Sequence, residues 1–258
     1  VHRRYVCRRQ ENEQTGKPFA KDKKMTEHHG PEVARTLKHR LVDIEKLEKE
    51  LVAKAHEILP DGAVNIVDFF ILGATQRTLS QSRGFRTLIE TRNFPSATIL
   101  LRTQIDTAMR INGLTMMGDV EADVQKLFKG ERTFDRLMSG TPIGGGKPER
   151  LTDAFLKRKL GKDHPWIEPF YAQTSDFVHL SFRHLFTAIT DTDAETRIAT
   201  LAISGTDPKQ DEAAYYEVCD AFFRVSRLTS LTILAMLMTR HQHDKVEAAA
   251  AEHVGGGE

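Results

Sequence analysis

The stretch from about Pro95 to Met117 constrains the fold more than any other part of the chain. Ile99, Leu100, Leu101, Ile105, Ala108 and Met117 place apolar side chains over most of its helical circumference. A helix that is apolar nearly all round belongs in an interior. Other helices must then surround it.

The flanking sequence supplies them. Leu37, Leu41, Ile44, Leu47, Leu51 and Ala55 recur at spacings of three and four. They predict one apolar stripe on a helix from about Pro31 to Leu59. Pro60-Asp61-Gly62 then turns the chain. A second helix is predicted from about Ala63 to Arg92, with Gly73 and Gly84 weakening its middle. Asn93-Phe94-Pro95 opens the interior helix and Gly118 ends it, after which Asp119 caps a short helix to Phe128. Residues 130–150, rich in Gly and Pro, read as the longest and most mobile loop.

Two more helices are expected, from about Pro148 to Leu160 and from about Pro165 to Ile189, the second being the most aromatic segment. Arg197 to Ser204 is rich in β-branched residues and reads as a short extended piece. Asp207-Pro208, followed by Asp211 and Glu212, starts a final helix that runs to about His243. Neither an internal repeat nor a strand–helix alternation is present. The expectation is an all-α, up-and-down bundle of about six helices over residues 31–244, with an extended segment near 197–204.

Both ends read as tails. Residues 1–30 form a basic segment expected to be disordered, with Arg3, Arg4, Arg8, Arg9, Lys17, Lys21, Lys23 and Lys24 set against Glu11, Glu13 and Asp22. Met25 reads as a natural start, which would place residues 1–24 upstream of it. Residues 245–258, Ala-rich and then Gly-rich, are expected to be flexible. The whole chain carries a formal charge of only +1, so no global field favours nucleic acid. Cys7 and Cys219 are too few for a disulfide framework. The N-terminal segment lacks the apolar core of a signal peptide. The apolar run Leu228 to Met238 is shorter than the ~20 residues of a membrane span. A cytoplasmic protein without a membrane partner is expected.

Common chemical motifs are missing. Gly144-Gly145-Gly146-Lys147 invites a phosphate-loop reading, but Thr141 and Pro148 stand where that motif needs Gly and a Ser or Thr. His241 and His243 are two apart and point to different faces, and no H-E-x-x-H occurs. Neither a metal nor a cofactor is expected.

Two polar rows are the candidates for chemistry. Arg102, Asp106 and Arg110 recur every four residues on the interior helix. Ser175, His179 and Arg183 do the same on the aromatic helix. Histidine titrates near neutrality and serves as acid or base. If the two helices pack together, Asp106 would orient His179 while Arg102, Arg110 or Arg183 held an anion such as phosphate. The plainer reading makes Arg102 and Asp106 a structural ion pair and His179 a satisfied residue at the border of an apolar face.

The segment Ala97-Thr-Ile-Leu-Leu-Arg102-Thr-Gln-Ile-Asp106, with Ser175-Asp-Phe-Val-His179-Leu-Ser181 far downstream, resembles a group of uncharacterised bacterial all-α proteins placed near the HEPN (higher eukaryotes and prokaryotes nucleotide-binding) superfamily. The resemblance covers roughly residues 60–190. It implies a homodimeric, defence- or toxin-associated protein acting on RNA or a nucleotide. On that reading the two polar rows would supply the site, with His179, Asp106, Arg102 and Ser175 as catalytic residues and Arg183 and Arg110 as substrate contacts. The chain departs from the ribonucleases of that superfamily, which place an Arg four to six residues before a His on one helix. Gln173 and Thr174 stand upstream of His179 instead, and the pair Arg158 and His164 is interrupted by Gly161. Two other readings follow from the residues alone: a non-catalytic dimeric interaction module using the apolar Leu228–Met238 face, and a small-molecule sensor with a pocket between helices.

Overall fold

Local sequence sets where each helix begins. In the computed structural model, which describes residues 2–6, 35–59, 64–142, 145–179, 181–182, 184, 188–205, 207 and 210–242, most starts are side-chain caps. Thr36 caps α1 (Leu37–Ile58) and Asn65 caps α2 (Ile66–Glu90), each in a reciprocal capping box. Asn93 caps α3 (Phe94–Leu114), which carries Pro95 in its first turn. Asp119 caps α4 (Val120–Phe128), as its position in the sequence predicts. Thr152 caps α5 (Asp153–Asp163), α6 spans Ile167–Val178, and Asp211 caps α7 (Glu212–His241).

The architecture is the expected all-α bundle, with α3 at its centre against α2, α5, α6 and α7. Helix α1 lies on α7 and α2. The core is continuous, and aromatic rings mark its middle. Phe85 of α2 stacks on Phe222 of α7 with centroids 3.9 Å apart. Phe94 meets Tyr215 and Phe177 edge-on. Gly84 lets α2 and α3 approach closely, because a Cβ there would sit 3.2 Å from Leu100 Cδ1. Neither Gly73 nor Gly84 interrupts α2.

A polar knot lies inside this core. Gln104 of α3, fully buried, donates to Thr78 Oγ1 of α2 (3.4 Å) and Thr229 Oγ1 of α7 (3.3 Å). Gln81, with its amide oriented to satisfy both ends, donates to Gln104 Oε1 and accepts from Arg77 Nε at 3.1 Å. Buried amides need such partners, and these fix how α7 docks between α2 and α3.

Several boundaries differ from the sequence expectation. Helix α5 begins at Asp153, not Pro148, and Gly161 lies inside it. The aromatic helix is broken after Val178, where α6 ends, although Phe182, His184 and Ala188 are again helical in the stretch expected to run to Ile189. The extended piece is wider than expected: Ile189–Asp193 (β1) and Ile198–Ala202 (β2) form an antiparallel hairpin. His2–Val6, from the segment expected as a tail, pairs antiparallel with the other edge of Ile198–Ala202. The loop after α4 is stitched down, with Ser139 N donating to Glu149 O (2.8 Å) and Leu151 N to Leu137 O (2.9 Å). Asp207 does not cap α7 but accepts from Phe94 N at 2.8 Å, capping α3 from a distance of 113 residues. Among the described residues, one helix, α7, is long and apolar enough to cross a membrane, and half of its most apolar stretch is buried in the bundle.

Candidate functional site

The row on α3 faces α5 and α6. Arg102 is ion-paired with Asp106 one turn along, and their side chains are 11% and 24% exposed. The Arg102 guanidinium carbon lies over the Tyr171 ring of α6, 3.6 Å from its centroid. At that range a cation is strongly attracted by the ring quadrupole. Lys157 of α5 approaches the same ring at 5.2 Å. Arg110, one turn beyond Asp106, pairs with Asp153 of α5 at 3.0 Å and lies over Phe134.

These contacts leave charge and hydrogen bonds unevenly distributed. Burial pushes the Asp106 carboxyl up; contact with Arg102 opposes this, and the nearby Asp153 adds to it. The net direction is upward, so the single Arg contact does not fully offset the lost hydration. Burial raises the Tyr171 hydroxyl as well. Arg102 Nε is buried and finds no hydrogen-bond partner among the described residues. A guanidinium offers five N–H donors in a planar fork, so part of this one is free for another acceptor.

The row on α6 is only partly as the sequence suggests. Ser175 remains helical and donates to Tyr171 O at 2.7 Å, which ties its hydroxyl to its own helix. His179 is the residue at which the helix ends: its φ and ψ of −104° and 147° are extended, and its side chain is exposed. No hydrogen bond joins it to Asp106, whose ion-pair partner is Arg102. Arg183 lies outside the described residues. Arg102, Asp106 and Arg110 are therefore brought together, with Ser175 one turn from the stacked ring and His179 a further turn away.

Tyr171 is the member that reading the sequence missed. It sits four residues before Ser175, so continuing the row one turn toward the N-terminus would have reached it. Asp153 and Lys157, from α5, carried no comparable signal. Elsewhere, an open groove of about 400 Å³ lies between α1 and α2, floored by Leu37, Leu41 and Ile89. Its Arg86 is already bidentate on Glu48, at 3.0 and 3.2 Å. Among the described residues, no group of three or more His, Cys, Asp and Glu side chains is arranged to hold a metal.

Set against known proteins, the chain matches no protein-family model, no curated protein and no solved structure.

Proposed function

We propose that this is a cytoplasmic HEPN-like helical protein, defence- or toxin-associated, that binds RNA or a nucleotide through a phosphate held at the seam of α3, α5 and α6. One observation carries this reading: Arg102 is mostly buried, lies over Tyr171 and is paired with one carboxylate, yet its Nε has no acceptor among the described residues. Stacking fixes the plane of the guanidinium, so its open donors are pre-aimed at a planar or tetrahedral oxyanion. Arg110 adds a second cation one turn away. His179, exposed and beyond the end of α6, is the available acid or base for any cleavage.

The test has two arms. Fluorescence anisotropy with a labelled short single-stranded RNA is expected to show salt-dependent binding that Arg102→Ala abolishes and Arg102→Lys does not restore, since an ammonium neither stacks nor forks. Wild type and His179→Ala are then incubated with total RNA. Cleavage by wild type alone assigns His179 a catalytic role; equal, undiminished RNA in both reduces the activity to binding. Absence of binding to RNA and to nucleotides would refute the reading.

A second reading, a dimeric interaction module, has its own support. Leu231 and Met238, seven residues apart on α7, are 55% and 37% exposed. Seven residues return to the same helical face. A monomer by light scattering overturns it.

A further inference from the structure

Asp106 stands between two arginines of its own helix, Arg102 and Arg110, each one turn away. Its carboxylate pairs with Arg102, while Arg110 turns to Asp153 of α5. We propose that Asp106 is a built-in competitor at the Arg102 site, holding the guanidinium in the free protein and yielding it to a phosphate oxyanion of RNA or a nucleotide. This rests on the phosphate-binding reading above.

Three observations carry it. The side chain of Asp106 is more exposed than that of Arg102, 24% against 11%, although the paired Oδ1 and Nη1 are themselves shielded from solvent. The pair is also incomplete, because Arg102 Nε has no acceptor among the described residues while it is closed. A terminal phosphate presents three oxygens where the carboxylate presents two, and an internal phosphodiester presents two set tetrahedrally, so either can engage the guanidinium with a different geometry from the carboxylate. Finally, the carboxyl is pushed upward by burial despite its cationic neighbour, so the charged form is poorly housed and easily displaced. The charged and titratable groups around it are Arg102 and Arg110 of α3, Asp153 and Lys157 of α5, and Tyr171 of α6.

The competitor has a measurable signature. A pair closed about nine-tenths of the time weakens apparent affinity about tenfold. Asp106→Asn and Asp106→Ser are therefore expected to bind the labelled RNA about tenfold more tightly than wild type. Glu168→Gln is the charge control: it removes one negative charge from α6, where Glu168 reaches Lys157 at 4.0 Å, without touching Arg102. Its gain should be less than twofold, on the order expected of a screened surface charge. In wild type, the ¹⁵N resonance of Arg102 Nε should shift when RNA is added. That measurement keeps the test decisive if the Asp106 variants do not fold. Adenosine monophosphate and inorganic phosphate, added as competitors, distinguish a free nucleotide from the polymer; the Asp106 gain is expected with either.

Equal gains in Glu168→Gln and Asp106→Asn would overturn the inference, as would a fixed Arg102 Nε resonance at saturating RNA. So would wild-type binding that Arg102→Ala abolishes but Asp106→Asn leaves unchanged, an outcome that sinks the competitor and spares the phosphate site. Failure of every protein to bind RNA, nucleotide or phosphate removes both.

Discussion

Replacing Asp68 should show how much of the bundle depends on one buried carboxylate. Asp68 lies in the first turn of α2, with its side chain 1% exposed. It accepts from Asn65 N at 2.9 Å, closing the capping box, and from Arg240 Nε at 2.8 Å. His241 Nε2 lies 3.2 Å away, so two residues at the end of α7 converge on the start of α2. Removing one partner of a buried pair costs about 3–5 kcal/mol, because the other is left uncompensated. Arg240 is 20% exposed and keeps Glu121 at 3.5 Å, which reduces the expected cost to about 2–4 kcal/mol. For a chain of this size that is about 4–7 °C in melting temperature.

The pH dependence has a definite sign. Burial pushes the Asp68 carboxyl up, but the hydrogen bonds from Asn65 and Arg240, with the His241 ring close by, outweigh it and hold the group below the usual carboxylate range. Its contribution is thus present above the unfolded value of about 4 and disappears as pH falls through the lower folded value. Urea denaturation of wild type, Asp68→Asn, Arg240→Gln and the double variant gives a cycle with an expected coupling of about 1–2 kcal/mol. A loss below about 0.5 kcal/mol for Asp68→Asn, or an unchanged acid limb of the stability curve, would refute the reasoning.

Two further outcomes are expected. Cys219 is fully buried, and burial, reinforced by Asp220 and opposed by Arg40, pushes its thiol up to about 12. In a Cys7→Ser background it should therefore react with a disulfide reagent only as fast as the bundle opens, and rapid labelling of the folded protein would contradict this. Arg197 takes φ 56° in the exposed turn between β1 and β2, a conformation that costs a residue with a side chain about 1 kcal/mol. Arg197→Gly should raise hairpin stability by roughly half that, and Arg197→Val should lower it, both measurable by hydrogen exchange of the hairpin amides.

Periodic apolar residues and caps made most of the fold legible. The stripe of α1, the boundary at Asn93 and the cap at Asp119 follow from side chains acting within one turn of themselves. What escaped were choices made across the fold. Asp207 precedes a proline and reads locally as the cap of the helix after it, but α3 reaches it first through Phe94 N. The aromatic helix carries no breaker near Val178, and its end there is not written in local propensity. Asp68 gives no signal as a buried ion-pair centre, since its partners lie more than 170 residues away. The candidate site was half visible for the same reason. Arg102 and Asp106 share a helix and a spacing, whereas Tyr171 enters only when α6 packs on α3.

The placement of α7 also bears on how the chain reaches this state. The last helix fills the space against α1, α2 and α3, which are synthesised first. Until it arrives, the faces of α1, α2 and α3 that meet it are uncovered and Gln104 lacks its Thr229 partner. The bundle is thus rich in contacts between distant parts of the sequence, unlike a bundle of consecutive hairpins, and should fold slowly for its helix content. A nascent chain still lacking residues 212–241 would hold its hydrophobic surface open on the ribosome, where a chaperone or a second unfinished chain can meet it.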